Sequence, residues 1–321
     1  MANSVLITGG AGFIGSHVAD AFLADGWQVT ILDDLSSGRL ENLPADARFI
    51  HGDIASAEAA ALVRDGGFTA LCHLAAQIDV RRSVAEPAYD ATRNILGTLN
   101  LLEAIRVSGQ GTRVIFSSTG GALYGDFDPP PSRETFSKDP EAPYGIAKLS
   151  VEYYLAYYGR VHGIETVALR YGNVYGPRQD PHGEAGVVAI FCNRLLEGRP
   201  LTVFGTGEQT RDYVYVGDVA QANLAAARAA LPAKGRLDAR AFNIGTGVET
   251  SVNVVAHTLR EASGVAVSIE RAPARPGELA RSALAADKAR EWLGWSPRVS
   301  IADGLARTFR FFADRRSTGA S

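Results

Sequence analysis

The chain has 321 residues, 46% of them hydrophobic and 21% charged, and a formal net charge of −3 at pH 7. This length indicates one large domain or two joined ones, and the absence of a Lys/Arg tract argues against a nucleic-acid partner. The only cysteines, Cys72 and Cys192, lie in apolar stretches, which predicts buried thiols and excludes a disulfide framework. No apolar run approaches the roughly 20 residues that span a bilayer, and the N-terminus has no basic leader. We therefore expect a cytoplasmic protein without a membrane partner.

The first half of the chain alternates short apolar runs with segments of helical periodicity. The predicted strands are 4–8, 28–33, 48–54, 70–76, 113–119 and 165–171, and the predicted helices are 13–25, 87–109 and 144–162. Strands that alternate with helices predict an α/β fold with a Rossmann-type, doubly wound parallel sheet.

The alternation becomes irregular after about residue 175. The predicted elements here are a helix at 187–198, a strand at 201–204, a strand and helix within 211–231, a strand at 241–247 and a C-terminal helix capped by Ser300 and Asp303. We predict a Rossmann domain over 1–174 and a smaller mixed α/β substrate domain over 175–321. Segments near 212–231 and 239–247 are expected to return to the first domain.

A glycine-rich turn joins the first predicted strand to the first predicted helix. Gly9 would allow the tight turn, Gly12 the approach of a pyrophosphate to the backbone, and Gly15 the close packing of helix and strand. Phosphates would meet N–H groups at the helix N-terminus. The spacing is GxxGxxG rather than GxGxxG, and a plain turn is the alternative. We predict a dinucleotide site that includes Phe13 and Ile14.

Acidic residues at two strand ends indicate which dinucleotide is bound. Asp33 stands 18 residues after Gly15, where a carboxylate accepts ribose hydroxyl protons and repels a 2′-phosphate. NAD is therefore predicted over NADP, although the nearby Arg39 keeps NADP open. Asp53 could bind the adenine amine or simply cap its strand. The same loops supply the other predicted cofactor residues, Asp34, Leu35, Ser37, Gly38 and Ile54.

A tyrosine and a lysine four residues apart, Tyr144 and Lys148, would share one helix face. A free tyrosine has a pKa of roughly 10, and a neighbouring ammonium together with a positive nicotinamide ring would lower it. Ser117, Ser118 and Thr119 end the fifth predicted strand, where a hydroxyl could pass a substrate proton to Tyr144. Strand-end capping is the alternative. The predicted catalytic residues are Tyr144, Lys148, Thr119 and Ser118, with Ser117 at the cofactor.

Five segments together resemble the extended short-chain dehydrogenase/reductase family, and most of all its UDP-glucose 4-epimerase branch. They are TGGAGFIG (8–15), HLAAQ (73–77), SSTGGALYG (117–125), YGIAK (144–148) and the stretch 170–191. The resemblance implies NAD that is recycled within each turnover and a transient 4-keto sugar. It also implies cofactor contacts from Leu74, Ala75, Ala76, Gln77, Asn94 and Tyr171.

The residues after Thr119 distinguish between reactions within this family. Related dehydratases and decarboxylases carry an acid here, whereas this chain has Gly120, Gly121 and Ala122. Without a second acid, the 4-keto intermediate can only turn over and take its hydride back on the other face, which inverts C4. The resemblance implies that the substrate is a UDP-hexose.

The resemblance also assigns a nucleotide-binding set in the second half. It implies Asn173 and the arginines Arg211 and Arg275 at the diphosphate, Val187 and Val188 at the uracil, and Glu278 at the uridine ribose, with further contacts from Phe191, Thr202, Val203, Phe204 and Gln209. Solvated surface charge is the alternative for each arginine. The resemblance also implies that the small residue Ser282 lies at the wall of the sugar pocket, which would leave room for an N-acetyl group.

Other functions and assemblies remain open at this point. The alternatives are an oxidoreductase that releases NADH, a UDP-glucuronate 4-epimerase and a non-catalytic NAD-sensing protein. We predict no metal site, since His17 and His73 are expected to be packed polar groups. The aromatic residues Tyr153, Tyr154, Tyr157 and Tyr158 leave an apolar face that, with helix 87–109, predicts a helix-paired homodimer. A packed monomer is the alternative.

Overall fold

A computed structural model describes residues 3–125, 128–181, 186–274 and 279–317. The strands in these ranges are β1 Ser4–Thr8, β2 Gln28–Asp33, β3 Arg48–His51, β4 Ala70–His73, β5 Arg113–Thr119, β6 Thr166–Tyr171, β7 Asn173–Tyr175, β8 Leu201–Phe204, β9 Thr210–Arg211, β10 Tyr213–Tyr215, β11 Ala241–Ile244, β12 Thr250–Ser251 and β13 Ile269–Ala272. The helices are α1 Phe13–Ala24, α2 Ala57–Asp65, α3 Val80–Ala85, α4 Pro87–Ala91, α5 Gly97–Ser108, α6 Pro143–His162, α7 Val187–Leu196, α8 Val216–Arg228, α9 Val252–Ser263, α10 Asp287–Leu293 and α11 Ile301–Ser317, with a 3₁₀ turn at Leu40–Asn42 and a π-helical segment at Thr92–Leu96.

The central sheet has seven strands in the order β11-β6-β5-β4-β1-β2-β3. All six pairings are parallel, and both faces are covered, which explains the apolar runs of β1 and β4. The strand order reverses between β1 and β4, so their carboxyl ends open a crevice of the kind that binds ligands in such sheets. The predicted fold class is confirmed.

Helices cover the sheet on both sides and create two cores. α1, α8 and α10 pack around Ile7, Phe22 and Phe242 on one face. α2, α5 and α6 pack around Leu6, Leu71 and Phe116 on the other. Successive strand residues thus point to opposite cores, which decides where each side chain at the end of β5 is directed.

The second half builds a third core from α7, α9 and α11 with the paired strands β8 and β13. Leu305 is fully buried there, with Ile301, Phe309 and Phe312 packed around it, as the helical stripe predicts. The predicted cap is present, since the Asp303 backbone N–H donates to the Ser300 hydroxyl at 3.1 Å. α8 packs on α1, and β11 pairs with β6. The division near residue 174 remains a prediction.

Several details differ from the sequence-based expectation, which did not include α2, α9, α10 or β13. The predicted helix 87–109 consists of α4, the π-helical segment and α5 in succession. The strands β3 and β4 end about three residues earlier than predicted, and the short pairs β7–β10 and β9–β12 were not predicted. Among the helices of the described residues, none combines the length and the apolar character that a membrane crossing requires.

Candidate active site

The loop between β1 and α1 forms a cradle that only glycine permits. Gly9 has a φ of +72°, and a Cβ at Gly15 would lie 2.1 Å from the Gly9 carbonyl oxygen. Helix α1 begins after Gly12, and no side chain of the described residues caps it. Its first N–H groups are therefore available to a ligand, and helix N-termini bind phosphates through such groups. Phe13 and Ile14 form the first turn.

Asp33 lies beside this cradle at the end of β2. Its Oδ2 accepts a hydrogen bond from the Ala11 N–H and its Oδ1 accepts one from the Leu35 N–H, both at 2.9 Å. Burial raises the pKa of this carboxyl, and the two backbone bonds oppose that effect. Each oxygen keeps a second lone pair for a ribose hydroxyl. A Cβ at Gly38 would lie 2.7 Å from Asp33 Oδ1, so the 33–38 loop, which includes Ser37, packs tightly here.

The predicted adenine side of the site contains an ion-pair cluster. Asp53 accepts a hydrogen bond from the Ala55 N–H at 2.9 Å and pairs with Arg93, whose second nitrogen lies 3.7 Å from Asp34. Asp53 thus stabilises the turn that follows β3. Its adenine contact remains a prediction, as does that of the neighbouring Ile54. The sequence did not identify Arg93 as part of the site, because an arginine on a helix is usually interpreted as a solvated surface charge.

The Arg39 guanidinium, which could have bound a 2′-phosphate, has two acidic neighbours. Its guanidinium lies 3.6 Å from Glu41 and 3.6 Å from Asp180. Acidic neighbours would disfavour a phosphate at this guanidinium, so the position of Arg39 is in keeping with NAD.

The segment after β4 is fixed by reciprocal amide bonds. The Gln77 N–H donates to Asn94 Oδ1 at 2.9 Å, and Asn94 Nδ2 donates to the Gln77 carbonyl at 3.0 Å. The structure thus brings Asn94 together with the predicted cofactor segment, Leu74, Ala75, Ala76 and Gln77.

His17 and His73 are packed polar groups, as predicted. His73 lies between the hydroxyls of Thr8 and Thr98, at 2.7 and 2.8 Å, and burial lowers its pKa to about 3. The His17 ring bonds the Pro177 carbonyl at 2.9 Å. A search of the described residues finds no group of three His, Cys, Asp or Glu side chains that could hold a metal.

Tyr144 and Lys148 share one face of α6, as their spacing predicts. Lys148 Nζ lies 5.8 Å from the centre of the Tyr144 ring and donates to the Ser117 carbonyl at 2.8 Å. Burial lowers the pKa of Lys148 to about 8, while Asp90 and Glu152 act in the opposite direction. The ammonium therefore persists at neutral pH and titrates just above it.

The protein's own groups do not lower the pKa of Tyr144. Burial and the Asp90 carboxylate raise this pKa to about 12. The predicted lowering of this pKa by an ammonium together with a nicotinamide ring therefore stays a prediction for the protein with bound cofactor. The positive charge of a bound nicotinamide ring is the second contribution that the phenolate requires.

Ser118 is the one predicted catalytic residue that the structure directs away from the site. Its hydroxyl donates to Glu152 Oε1 at 2.5 Å, and Glu152 in turn forms a bidentate pair with the fully buried Arg170. Strand alternation explains this direction, since Ser118 follows Phe116 into the core under α6. The prediction that Ser118 contacts substrate is therefore corrected to a structural role.

The hydroxyl of Thr119 has a different setting from that of Ser118. Thr119 is half-buried at the carboxyl end of β5, and among the described residues we find no hydrogen-bond partner for its hydroxyl. It remains the predicted catalytic hydroxyl. Tyr171 stands opposite Thr119 on β6, but its ring lies in the core and its hydroxyl pairs with Asn223 at 2.8 Å. The contact of Tyr171 with the nicotinamide remains a prediction.

A cavity of about 310 Å³ lies between β7, α7, β8 and β10. Eight predicted substrate residues line it: Asn173, Val187, Val188, Phe191, Thr202, Phe204, Gln209 and Arg211. Val203 does not, because it points into the third core and is fully buried. Arg194 and Gln179 also line the cavity and were not predicted.

Three predicted substrate residues lie near a segment that the structure describes only in part. Arg275 and Glu278 fall outside the described residues. Ser282 is described and half-buried. Its segment is held beside the cavity because Arg211 Nη1 donates to the Leu279 carbonyl at 2.8 Å.

Comparisons with known proteins agree with this site. The model of the NAD dependent epimerase/dehydratase family matches residues 5–245. A UDP-glucose 4-epimerase of Mycolicibacterium smegmatis is 45% identical over 97% of this chain and 98% of its own length. The crystal structure of UDP-glucose 4-epimerase from Thermotoga maritima, with UDP-glucose, superposes with a TM-score of 0.92 at 46% identity, covering 98% of this chain and 99% of that one.

A third relative is named for a different sugar substrate. It is a UDP-N-acetylglucosamine 4-epimerase from Methanobrevibacter ruminantium M1 in complex with UDP-N-acetylmuramic acid, with a TM-score of 0.90 at 32% identity over 98% of this chain and all of that one. The predicted resemblance, the NAD cofactor and the assignment to the epimerase class are confirmed by these comparisons. The chain belongs to the NAD dependent epimerase/dehydratase family.

Proposed function

We propose that this protein is a UDP-hexose 4-epimerase that interconverts UDP-glucose and UDP-galactose. The observation that carries the proposal is the juxtaposition of Tyr144 and buried Lys148 on one helix face, at the sheet edge that also holds the dinucleotide cradle. The cavity lined by Asn173 and Arg211 adds a site for a nucleotide diphosphate.

The residues of the first domain fit NAD. The side-chain-free cradle at Gly9 and Gly15 would hold the pyrophosphate, and Asp33 would hold the adenine ribose. Lys148 and the 74–77 segment stand where the nicotinamide ribose is expected. When bound, NAD supplies a hydride acceptor that returns the same hydride later in the turnover.

Three side chains of this protein take part in the proton transfer. The Tyr144 phenolate takes the proton from the sugar O4 as the C4–H bond breaks, which gives a 4-keto sugar. The Thr119 hydroxyl donates a hydrogen bond to the developing carbonyl oxygen, and the Lys148 ammonium stabilises the phenolate. Tyr144 returns the proton to O4 once the other face of C4 has been reduced. The sugar is inverted at C4, with no net oxidation.

The absence of an acid after Thr119 limits the reaction to epimerisation. A Cβ at Gly120 would lie 2.3 Å from Leu284 Cδ1, so a carboxylate at this position would need Leu284 to move. The 4-keto sugar therefore meets no second acid at residues 120–122 that could promote elimination or decarboxylation.

Ser282 supports activity on N-acetylated sugars as well. Its segment is held beside the cavity through Leu279 and Arg211, and a serine side chain occupies little of the sugar pocket. We expect Ser282→Tyr to lose turnover of UDP-N-acetylglucosamine and to keep turnover of UDP-glucose. Equal turnover of both sugars by this variant would contradict the assignment.

The outer face of α6 supports a homodimer through paired helices. Tyr153, Tyr157 and Val161 are 59%, 42% and 60% exposed, and Val107 on the neighbouring α5 is 62% exposed. Contiguous exposed apolar side chains are typical of protein interfaces. Tyr157→Glu should yield a monomer in light-scattering measurements, whereas Val254→Glu, at an exposed apolar position on α9, should not. An unchanged mass for Tyr157→Glu would contradict the interface.

Incubation with a panel of UDP-sugars tests the proposed function. NMR should identify UDP-galactose from UDP-glucose, with NAD retained by the protein and no NADH released. Release of NADH would identify an oxidoreductase, and turnover of UDP-glucuronate alone would identify the uronate epimerase. The cytoplasmic location also remains a proposal, supported by the buried free thiols of Cys72 and Cys192, and cell fractionation tests it.

A further inference from the structure

A buried carboxylate beside the catalytic pair has no role in the mechanism above. Asp90 on α4 is 1% exposed. Its Oδ1 accepts hydrogen bonds from Asn94 Nδ2 at 3.0 Å and from Gln77 Nε2 at 3.2 Å. Its Oδ2 is buried and has no hydrogen-bond partner among the residues that the structure describes. Buried carboxylates are costly unless they are paired, so an unpartnered oxygen here points to a function.

The helix that carries Asp90 packs directly against the catalytic helix. α3, α4 and the π-helical segment all contact α6, and the Tyr144 N–H donates to Ser83 on α3 at 3.3 Å. Asp90 acts electrostatically on both members of the catalytic pair. Asp90 thus holds the cofactor segment through Gln77 and Asn94 and acts on the Tyr144–Lys148 pair across the contact of α4 with α6.

We propose that Asp90 is a positioning residue that serves as the buried counter-ion of the catalytic pair. Its carboxylate keeps Lys148 in the ammonium form and at the same time fixes the Gln77–Asn94 segment beside it. The proposal rests on the function proposed for Tyr144 and Lys148, and it assigns to Asp90 no contact with substrate.

Among the described charged groups around Lys148, Asp90 is the one whose charge no cation already neutralises. Glu152 also faces Lys148, but it is already neutralised by Arg170. His73 is held in its neutral form by burial. The other charged groups on the elements next to Asp90 are exposed or paired elsewhere: Arg81, Arg82 and Glu86 are exposed, and Arg93 pairs with Asp53.

Removal of the Asp90 charge should shift the pKa values of both catalytic groups in a definite direction. Asp90 raises the pKa of Lys148 and raises the pKa of Tyr144. In Asp90→Asn, Lys148 should therefore lose its proton at lower pH and Tyr144 should ionise at lower pH. Both limbs of the pH–activity profile should move to lower pH, by about one unit. A purely structural role would lower the rate and leave both limbs in place.

The experiment combines the activity profile with a titration that does not depend on turnover. The chain has four lysines, Lys138, Lys148, Lys234 and Lys288, so NMR of ε-¹³C-lysine gives a simple spectrum in which Lys148→Met assigns the signal. We expect Lys148 to titrate near pH 8 in the parent protein and about one unit lower in Asp90→Asn. Asp90→Ser should give the same shift if the asparagine variant does not fold.

A matched control comes from Asp79, which caps α3 by accepting the Arg82 N–H at 2.9 Å. Asp79→Asn removes the same charge from the adjoining segment and should leave the Lys148 titration unchanged. An unmoved Lys148 titration in both Asp90 variants, or an equal shift in Asp79→Asn, would overturn the proposal. If the parent protein turns over no UDP-sugar, the proposed function fails, while the titration still decides the role of Asp90.

Discussion

Substitutions of the two neighbouring hydroxyl residues at the end of β5, Ser118 and Thr119, should have different effects: the first should lower stability and the second should lower turnover. Ser118→Ala removes a donor that lies 2.5 Å from Glu152 Oε1, inside a cluster where Glu152 is 2% and Arg170 0% exposed. A hydrogen bond to a charged group contributes about 1.5–3 kcal/mol. Because Glu152 keeps its bonds to the Arg170 guanidinium, we expect a loss of about 2 kcal/mol in the free energy of unfolding. At about 2 °C per kcal/mol, the Tm falls by roughly 4 °C.

Thr119→Val should show the opposite pattern. The substitution keeps the branched side chain and removes a hydroxyl that has no partner among the described residues, so the free energy of unfolding should change by less than about 0.5 kcal/mol. Turnover should fall by about 10²-fold, the lower end of what a positioned proton-transfer group contributes. Ser150→Ala is the matched control, since its hydroxyl donates only to the Ile146 carbonyl at 2.8 Å on the outer face of α6.

Urea unfolding and epimerase turnover, measured on the same preparations, decide between the two hydroxyls. Ser118→Ala should unfold at lower urea and keep near-parent turnover, and Ser150→Ala should match the parent in both measurements. Loss of turnover in Ser118→Ala at unchanged stability, together with full turnover in Thr119→Val, would refute the assignment.

Three further substitutions or conditions test other parts of the site. Gly15→Ala would place a Cβ 2.1 Å from the Gly9 carbonyl oxygen, where about 3.0 Å is the closest approach seen. This variant should therefore lose bound NAD on gel filtration, whereas the control Gly159→Ala on α6 should keep it. NAD retention by Gly15→Ala would count against the cradle. Turnover should fall as the pH rises through about 8, where Lys148 loses its proton; a profile that stays flat well above this pH would show that the ammonium is not needed. Arg170→Met leaves Glu152 buried without its cation and should cost about 3–5 kcal/mol of stability, which urea unfolding measures; a smaller loss than that of Ser118→Ala would contradict the cluster.

The sequence predicted the central sheet well because each of its strands is an apolar run of limited length. β1 and β5 end at the predicted residues, since Thr8 and Thr119 are each followed by glycine. The interruption of helix 87–109 could not be predicted, because one extra residue per turn at Thr92–Leu96 leaves no signal in the hydrophobic periodicity. The pairs β9–β12 and β7–β10 depend on tertiary packing, and of these four strands only β10 lies in a run that the sequence predicts as a strand.

The candidate site was predicted where its chemistry depends on local spacing. Tyr144 and Lys148 lie one helical turn apart, and the glycine cradle is contiguous in sequence. Strand alternation alone shows that Ser118 and Thr119 point to opposite sides, but it cannot show which side faces the crevice. The partner of Ser118 is Glu152, 34 residues further along the chain. Asp90 was missed because a lone aspartate on a helix usually reads as a solvated charge.

Turnover of UDP-glucose that carries deuterium at C4 tests the proposed function most directly. If the hydrogen removed from C4 returns to the same carbon on its other face, the UDP-galactose formed should retain the deuterium, and no deuterated NADH should leave the protein. Product that has lost its deuterium to solvent, or label recovered in free NADH, would contradict epimerisation through a transient 4-keto sugar.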